Sequence, residues 1–554
     1  MNIKNVVIVF SLLYKGIVCE DDYEDLPNIE ISTGFLEAGY RSLSFKGTTF
    51  TAFEGIPYAR PPVGELRFQP PEEPYNWTGI WKANTKYSCI PFMKGGFYSN
   101  FLDSEDCLYL NVYVPSYEPN AENNFDVVVH LHSGAFTVGH PHFASGPKFL
   151  LDEDHIIFVT LNYRLGPLGF LSTEDEIIPG NNGLKDQVLA LKWIQKNIKY
   201  FGGNPDSVTI TGSFSGGASV HYHYLSPLSK DLFHRGYSGS GTALDPWALQ
   251  DAPLVKAKRL AVLLGCNPVT SQDILNCVMQ RSTQAIVEAT QHFFEKGMPF
   301  SPFGPVIEVE HKNAFLSKHP YQLLKDGPIQ DLPWIVVLNK DEGIFPAGPY
   351  YQNIKNIDED WVTFAPHLLD YNYTISYDKR DEISKKIKEF YFGDKSVSFK
   401  KLVKACSHRH FFMGAELSVK LQQKLNKSPI YVLIFAYKGD FSYSSLFNVP
   451  VKDAGVANGD NSLYYLSSNM VHTVRFNDEK IKDIMVKIIS NYAKNNKPKI
   501  EDVDWKPTTE KFQYLYFNGT ENIIMKEGIG ENNFWKTLGL KENENYFSSI
   551  KDEL

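Results

Sequence analysis

The segment of this sequence that most resembles a catalytic motif is a tight turn with Phe at its tip. Residues 211–217 read TGSFSGG, so Gly212 and Gly216 lie two positions on either side of Phe214. This spacing is typical of a strand-to-helix turn that lifts a catalytic Ser above a sheet, because glycines let the backbones approach closely. A benzyl side chain has no proton to lose and no lone pair to attack a carbonyl. The sequence therefore predicts the frame of an acyl-transfer site without its nucleophile.

Two hydroxyls next to Phe214 could replace the missing nucleophile. Ser213 and Ser215 flank it directly. Adjacent residues on a tight turn point away from its tip, and neither Ser has Gly two positions both before and after it. We expect neither to act as a shifted nucleophile, although this alternative stays open.

Alternating strand-like and helix-like segments must position this turn. Residues 127–131, 156–161 and 208–211 are short β-branched runs typical of buried strands, whereas residues 184–200 carry apolar residues at helical spacing. Strands that alternate with helices predict an α/β fold with a mostly parallel sheet covered on both faces. The Phe214 turn then follows a strand at the carboxyl edge, where such folds build their sites.

The two ends of the chain indicate a compartment. Residues 1–19 combine Lys4 with an apolar run and precede acidic residues, which predicts a signal peptide, with a buried first strand as the alternative. Lys551–Leu554 reads KDEL, the address that a retrieval receptor reads in the endoplasmic reticulum lumen. No clear linker interrupts residues 20–554, for which we expect a single domain. No other segment has the 18 apolar residues of a membrane span.

Composition limits the class of partner. The 554 residues are 43% hydrophobic and 21% charged, as in a globular protein with a large core, and the net charge is −9. Nucleic-acid binding needs a concentrated basic surface, and this sequence has none. We expect no nucleic-acid partner, no cofactor and no metal site.

Cysteines and sequons fit an oxidising lumen. Beyond the leader, the spacing predicts two local disulfides, Cys89–Cys107 and Cys266–Cys277, each contributing about 3 kcal/mol by loop closure. Cys406 is left over, and an odd thiol of this kind is usually buried. The predicted glycosylation acceptors are Asn76, Asn372, Asn426 and Asn518.

Ordered motifs from about residue 34 to 497 extend the pattern of the Phe214 turn. They read FEGIPYA at 53–59, SEDCLYLNV at 104–112, NYRLG at 162–166, GNNGLKDQ at 180–187 and GGNP at 202–205. In this order they resemble the type-B carboxylesterase and cholinesterase family. The resemblance implies an α/β-hydrolase fold, with a large central mostly parallel sheet, helices on both faces and long surface insertions.

The resemblance also assigns the catalytic positions. Phe214 stands where the family has its nucleophilic Ser. The segment GVANGDNSLYYL at 455–466 places Asn458 where the family has its His, and a carboxamide cannot act as a general base near neutrality. NKDEG at 339–343 resembles the acid loop, which makes Glu342 the retained triad member and a hydrogen-bond acceptor for Asn458.

The loop HSGAF at 132–136 is similar to the family's oxyanion loop. The implied donors are the backbone N–H groups of Gly134, Ala135 and Ser215, which do not depend on side chains. Ser133 replaces a family Gly and leaves the geometry of this turn open.

Together these residues predict a pseudoenzyme of the endoplasmic reticulum lumen. Its function would be to bind a lipophilic ligand in an apolar gorge lined by Phe214, Phe136 and nearby aromatics, or to bind a protein partner. The alternative is a carboxylic ester hydrolase with residual or unconventional activity.

Overall fold

The computed structural model describes most of the chain. The described residues are 26–92, 102–294, 300–326, 330–372, 374–447, 449–450, 454–468, 476–529 and 533–540. The predicted signal peptide and the KDEL tetrapeptide lie outside them.

The strands lie between Asn28 and Glu527, with long strand-free intervals among the described residues, such as 240–333 and 340–429. In chain order they are β1 (Asn28–Ile31), β2 (Gly34–Ala38), β3 (Tyr40–Leu43), β4 (Thr49–Pro57), β5 (Ile80–Ala83), β6 (Tyr87–Cys89), β7 (Leu102–Ser104), β8 (Tyr109–Val114), β9 (Phe125–Leu131), β10 (Ile156–Leu161), β11 (Gly203–Ser213), β12 (Arg235–Gly239), β13 (Trp334–Asn339), β14 (Ile430–Phe435), β15 (Gln513–Phe517) and β16 (Ile523–Glu527).

Helices fill the intervals between the later strands. They are α1 (Gly166–Phe170), α2 (Asn182–Asn197), α3 (Ser215–Leu225), α4 (Pro253–Leu263), α5 (Ser271–Met279), α6 (Thr283–Gln291), α7 (Pro320–Asp326), α8 (Ile344–Ala347), α9 (Ile354–Glu359), α10 (Trp361–Leu368), α11 (Tyr377–Phe392), α12 (Phe399–Ser407), α13 (Met413–Leu425), α14 (Phe476–Asn495) and α15 (Asn533–Thr537).

An 11-stranded sheet organises these elements in the order β16-β15-β14-β13-β12-β11-β9-β10-β8-β4-β3. All neighbours from β15 to β10 are parallel. The two margins, β16 with β15 and β10 through β3, are antiparallel. The predicted mostly parallel sheet is confirmed.

The central strands are apolar on both faces. Val127 and Val129 of β9 pack in one core cluster with residues of α2 and α3, whereas Val128 packs in a second cluster with residues of α14. Because successive side chains of a strand point to opposite faces, an uninterrupted apolar strand requires cover on both. Helices on both faces, as predicted, provide that cover.

The predicted local elements are present. The three runs expected to be strands lie in β9, β10 and β11. The predicted helix 184–200 begins slightly earlier, at Asn182, and its last turn is the 3-10 segment Ile198–Phe201. Strands β9, β11 and β13 lie close together in the sheet, so the loops that follow them meet at one edge.

A helical insertion separates β13 from β14. Helices α8 to α13 occupy it, and a third apolar cluster joins residues of these helices, such as Trp361 and Leu402, to later residues such as Trp535 of α15. None of the helices among the described residues is long and apolar enough to cross a membrane.

Both predicted disulfides are confirmed. Cys89 is bonded to Cys107, and Cys266 is bonded to Cys277. Cys406 is a buried free thiol. Burial raises the pKa of this thiol, so it stays protonated at neutral pH.

Candidate active site

Phe214 occupies a strained turn between β11 and α3. β11 ends at Ser213 and α3 begins at Ser215, and Phe214 between them has φ 53° and ψ −114°. A positive φ in a residue with a Cβ costs about 1–3 kcal/mol and persists only where surrounding structure enforces it. Here the Phe214 N–H donates to the carbonyl of Gly239 at 2.7 Å, which ties the turn to the end of β12. The turn that displays a nucleophile is present, with Phe at its tip.

The two glycines around Phe214 are required by packing. A Cβ on Gly212 would lie 2.3 Å from the carbonyl carbon of Gly216. A Cβ on Gly216 would lie 2.1 Å from the carbonyl oxygen of Leu131, at the end of β9. The Gly spacing in the sequence therefore reports a close approach of β11, α3 and β9.

The Phe214 ring packs in an aromatic cluster. Its centroid lies 4.3 Å from that of Trp247 and 5.0 Å from that of Phe345. Phe300 and Phe411 are each at 6.1 Å. Such pairs add about 0.5–1.5 kcal/mol each beyond area burial. We call these five residues the Phe214 cluster, and in it the ring acts as a core residue.

Glu342 and Asn458 form a hydrogen-bonded pair beside this turn. Asn458 Nδ2 donates to Glu342 Oε2 at 2.7 Å, the contact expected from the sequence. The backbone N–H of Asn339, the last residue of β13, donates to Glu342 Oε1 at 2.6 Å. In a triad the acid holds an imidazole N–H in this way. Here it holds an amide, which cannot take a proton from a nucleophile.

Burial controls the ionisation of Glu342. The side chain is fully buried, and this raises the pKa of Glu342 to about 7. Hydrogen bonds from Ser240, Asn339 and Asn458 oppose the shift but do not cancel it. The carboxyl therefore titrates near neutral pH, unlike an exposed Glu.

The loop after β9 has the form of an oxyanion loop. Gly134, Ala135 and Phe136 have φ of 126°, 55° and 57°, and the N–H groups of Thr137 and Val138 donate to the Gly134 carbonyl at 3.0 and 2.9 Å. The positive φ angles lie after Ser133 rather than at it, so the replaced family Gly leaves no strain there. The role of the Gly134, Ala135 and Ser215 N–H groups as oxyanion donors stays a prediction.

A cavity of about 310 Å³ lies over this edge of the sheet. Gly134, Ala135, Phe214 and Asn458 all line it, so the Phe214 ring leaves the space open. Most other lining groups are apolar, and none of the described residues that line it is Asp, Glu, Lys or Arg. The remaining lining residues are His130, His132, Ser133, Val138, Gly139, His140, Phe143, Ala144, Ser145, Ser213, Phe300, Phe345, Pro349, Tyr443, Leu446, Phe447, Gly459, Ser462 and Leu466.

Three histidines on the cavity wall were not identified from the sequence. Burial lowers the pKa of His130 and of His132 to about 3, and that of His140 to about 4. All three are neutral at pH 7, so the cavity wall carries no charge. The density of His in residues 130–142, HLHSGAFTVGHPH, was a signal that could have found them.

The prediction that Phe136 lines the cavity was wrong. Phe136 is fully buried, packs on Phe170 at 5.2 Å and does not line the cavity. Its positive φ turns the chain so that the ring enters the core beside α1. The cavity instead receives rings from Phe300, Phe345 and Phe447, which come from segments distant in sequence.

Among the described residues, neither flanking serine is hydrogen-bonded to a group that could act as its base. Ser215 is fully buried and does not line the cavity. Ser213 does line it, and its hydroxyl lies 3.4 Å from the Tyr465 hydroxyl. Burial raises the pKa of Tyr465, so the phenol stays protonated at neutral pH. A protonated phenol cannot take a proton from Ser213. Within the described ranges no group of three or more His, Cys, Asp or Glu is arranged to hold a metal ion.

The predicted glycosylation acceptors differ in exposure. Asn76 and Asn518 are exposed, whereas Asn372 and Asn426 are half-buried. Both polar atoms of the Asn426 side chain are shielded from solvent. Attachment of a glycan at Asn426 would require local rearrangement.

Three loops meet at one edge of the sheet: the turn after β11 with Phe214 at its tip, the loop after β13 with an acid, and the glycine loop after β9. This arrangement defines an α/β-hydrolase. The sequence profile described as the Carboxylesterase family matches residues 25–535. The chain belongs to the carboxylesterase family.

Similar proteins include named insect esterases. Venom carboxylesterase-6 of Apis mellifera is 37% identical over 556 residues, which cover 97% of this chain and 98% of the relative. Esterase FE4 of Myzus persicae is 37% identical over 518 residues, or 91% of each chain. The crystal structure of juvenile hormone esterase from Manduca sexta, with OTFP covalently attached, has a TM-score of 0.81 at 24% identity, covering 95% of this chain and 100% of that one. This last similarity supports the fold.

Proposed function

We propose that this carboxylesterase-family protein is a pseudoenzyme that binds an uncharged lipophilic molecule. The observation that carries the proposal is the position of Phe214, which removes the nucleophile yet leaves a cavity of about 310 Å³ open beside it. Loss of a nucleophile or base from a triad costs about a million-fold in turnover, and losing both costs little more. The changes at Phe214 and Asn458 thus support loss of chemistry, and the open cavity supports binding.

The cavity wall favours a particular ligand class. Aromatic and aliphatic side chains dominate it, and its histidines are neutral. A charged ligand would lose hydration here without gaining a counter-ion, which is costly in a poorly solvated site. Uncharged lipophilic esters, alcohols and related molecules fit this wall.

Loss of esterase activity is tested directly. The purified protein should hydrolyse 4-nitrophenyl butyrate no faster than a heat-inactivated sample, and an organophosphate should not label it. Stoichiometric labelling would contradict the pseudoenzyme assignment, because it requires an activated nucleophile.

Ligand binding is tested with the uncharged ester decyl acetate. We expect it to raise the midpoint of thermal unfolding, since a ligand that binds only the folded state stabilises it. Leu446 lines the cavity and Ser445 beside it is exposed. The Leu446→Trp variant should lose the shift, whereas the matched Ser445→Trp variant should keep it. An equal response in all three proteins would contradict binding in this cavity.

We also propose the endoplasmic reticulum lumen as the location of the protein. The KDEL sequence at Lys551–Leu554 and the two disulfides support it. A Leu554→Ala variant should appear in the medium of secretory cells, while the unmodified chain should stay inside. Secretion of both forms would contradict retention by this tetrapeptide.

A further inference from the structure

We propose that Asn458 makes the cavity selective for lipophilic ligands that carry a hydroxyl group. This inference rests on the proposed function, because it names the polar group of the ligand that the cavity would bind. In the family frame this position holds the base. In this chain the position holds the Asn458 amide, whose orientation is fixed by a hydrogen bond on the side away from the cavity.

Glu342 fixes that orientation. Its Oε1 accepts the backbone N–H of Asn339 at 2.6 Å, and its Oε2 lies 2.7 Å from the Asn458 side-chain amide. An ionised carboxylate only accepts hydrogen bonds, so the NH₂ end of Asn458 must face it. The opposite end of the same amide, Oδ1, is then the one left for the cavity.

Asn458 Oδ1 is a hydrogen-bond acceptor in need of a donor. Asn458 lines the cavity, and Oδ1 receives no hydrogen bond from the described residues. Two other polar groups of the cavity wall are already engaged, since the Ser462 hydroxyl donates to the Gly459 carbonyl at 2.7 Å and His132 Nδ1 donates to the Ser133 carbonyl at 2.8 Å. A ligand that covers Oδ1 without donating to it would leave a buried acceptor unpaired, which is unfavourable.

This requirement separates ligand classes of similar size. A hydroxyl can donate to Oδ1. An ether or ester oxygen only accepts, so it would face another acceptor at this point. A carboxylate would in addition approach buried Glu342 with no lining cation to offset its charge. Lipophilic alcohols are therefore the favoured ligands.

Glu342→Gln provides a variant that reverses the polarity of Asn458. The Asn339 N–H still needs an acceptor, so the new carboxamide directs its oxygen there and its NH₂ group at Asn458. Asn458 must then turn its own oxygen toward that NH₂ group and its Nδ2 toward the cavity. An ether could accept a hydrogen bond from Nδ2, so discrimination between alcohol and ether should fall.

The experiment compares the Kd of decanol with that of decyl methyl ether. Calorimetric titration at about pH 8 keeps Glu342, with a pKa of about 7, largely ionised. The unmodified protein should bind decanol about fivefold more tightly, the ratio expected for one net hydrogen bond. Asn458→Leu should bring the ratio to about one with both ligands still bound, and Glu342→Gln should lower it through tighter binding of the ether.

The outcomes separate this inference from the proposed function. If the unmodified protein binds both ligands equally, or if Asn458→Leu keeps the preference, hydroxyl selectivity by Asn458 is wrong while ligand binding stands. If neither ligand binds any of the folded proteins, both proposals are overturned. Far-ultraviolet circular dichroism of each variant identifies one that has not folded, and Glu342→Gln then carries the test because it keeps an amide partner for Asn458.

Discussion

Phe214 and Asn458 differ in what they replace and in what they now do. In the proposed pseudoenzyme Phe214 stands in place of the nucleophile, and its ring packs against Trp247 and Phe345. In the same proposal Asn458 stands in place of the base, and its side-chain amide donates a hydrogen bond to Glu342. Both side chains have structural partners in the folded protein, which supports the proposed loss of triad chemistry.

Because the other parts of the site are in place, we expect two substitutions to be enough to produce ester hydrolysis. The elbow backbone, Glu342 and the loop after β9 are in place. The Phe214→Ser and Asn458→His double variant should hydrolyse 4-nitrophenyl butyrate at least about a hundredfold faster than the unmodified chain, the lower end of what a positioned base contributes. Initial rates and organophosphate labelling measure this.

The single variants are the controls for this prediction. Phe214→Ser alone lacks a base and Asn458→His alone lacks a nucleophile, so neither should exceed background, because the two groups act as a unit. Removing the ring also leaves a void in the Phe214 cluster and should cost about 3–5 kcal/mol, so rates are best measured at low temperature. An inactive but folded double variant would show that the loop after β9 does not stabilise an oxyanion.

Glu342 predicts an unusual pH dependence of stability. Its pKa rises from about 4.3 in the unfolded chain to about 7 in the folded protein, chiefly through burial. The folded state then binds the proton more tightly, so the contribution of Glu342 is most favourable below about pH 4 and declines as pH rises toward 7. Between pH values below 4 and above 7 the loss amounts to about 4 kcal/mol.

Glu342→Gln isolates this contribution, since glutamine does not titrate. Between about pH 5 and pH 8 the unmodified protein should lose roughly 2–3 kcal/mol of unfolding free energy that the variant does not lose. Urea unfolding at the two pH values measures it. Asp460, whose pKa burial also raises to about 7, remains in both proteins and gives a common background. An unchanged pH profile would mean that Glu342 is ionised throughout.

The sequence predicted single residues well where a motif fixed their position. Glu342 and Asn458 were paired from their motifs, and the structure brings them within hydrogen-bond distance. Phe136 was placed wrongly because motif spacing does not report the backbone φ that turns its ring into the core. Phe300, Phe345 and Phe447 were not predicted, since only the tertiary fold brings them to the cavity.

At the level of elements, the end of β11 and the start of α3 depend on Gly212. A Cβ there would lie 2.3 Å from the carbonyl carbon of Gly216, so one of the two elements would have to move. Gly212→Ala should lower the free energy of unfolding by about 1–3 kcal/mol, as other overpacked sites do. Gly539→Ala is the control, because a Cβ there meets nothing within 4 Å. Equal urea midpoints for both variants would contradict this close packing.

Elements were predictable to different extents. Strands β9, β10 and β11 were predicted from short β-branched runs. Strands that are buried on both faces are continuously apolar, which makes them easy to recognise in a sequence. The motif blocks at 162–166 and 180–187 proved to be scaffold, joined by a buried Arg164–Asp186 ion pair at 2.6 Å. Helices α8 to α13 were not placed from the sequence, which predicted long surface insertions without their positions; many of their apolar residues pack in a cluster of their own.

At the scale of the whole molecule, the large sheet combines strands from early and late parts of the described chain. β3 forms one edge and β16 forms the other, while the site lies near the centre at β9, β11 and β13. The predicted single domain agrees with this arrangement but stays a prediction. None of the four predicted glycosylation acceptors lines the cavity, so they can be substituted without changing its wall.

Exposure predicts which sequons carry glycans. Asn76 and Asn518 are exposed, and Asn518 begins the turn between β15 and β16, so a bulky glycan there meets solvent. Asn372 and Asn426 are half-buried, and the polar atoms of the Asn426 side chain are shielded from solvent. In protein made by a secretory cell, the Asn76→Gln and Asn518→Gln double variant should migrate on a gel like the enzymatically deglycosylated chain. The matched Asn372→Gln and Asn426→Gln double variant should migrate like the unmodified protein. A glycan at Asn426 would contradict the packing at the end of α13, and no glycan at any acceptor would contradict the lumenal location.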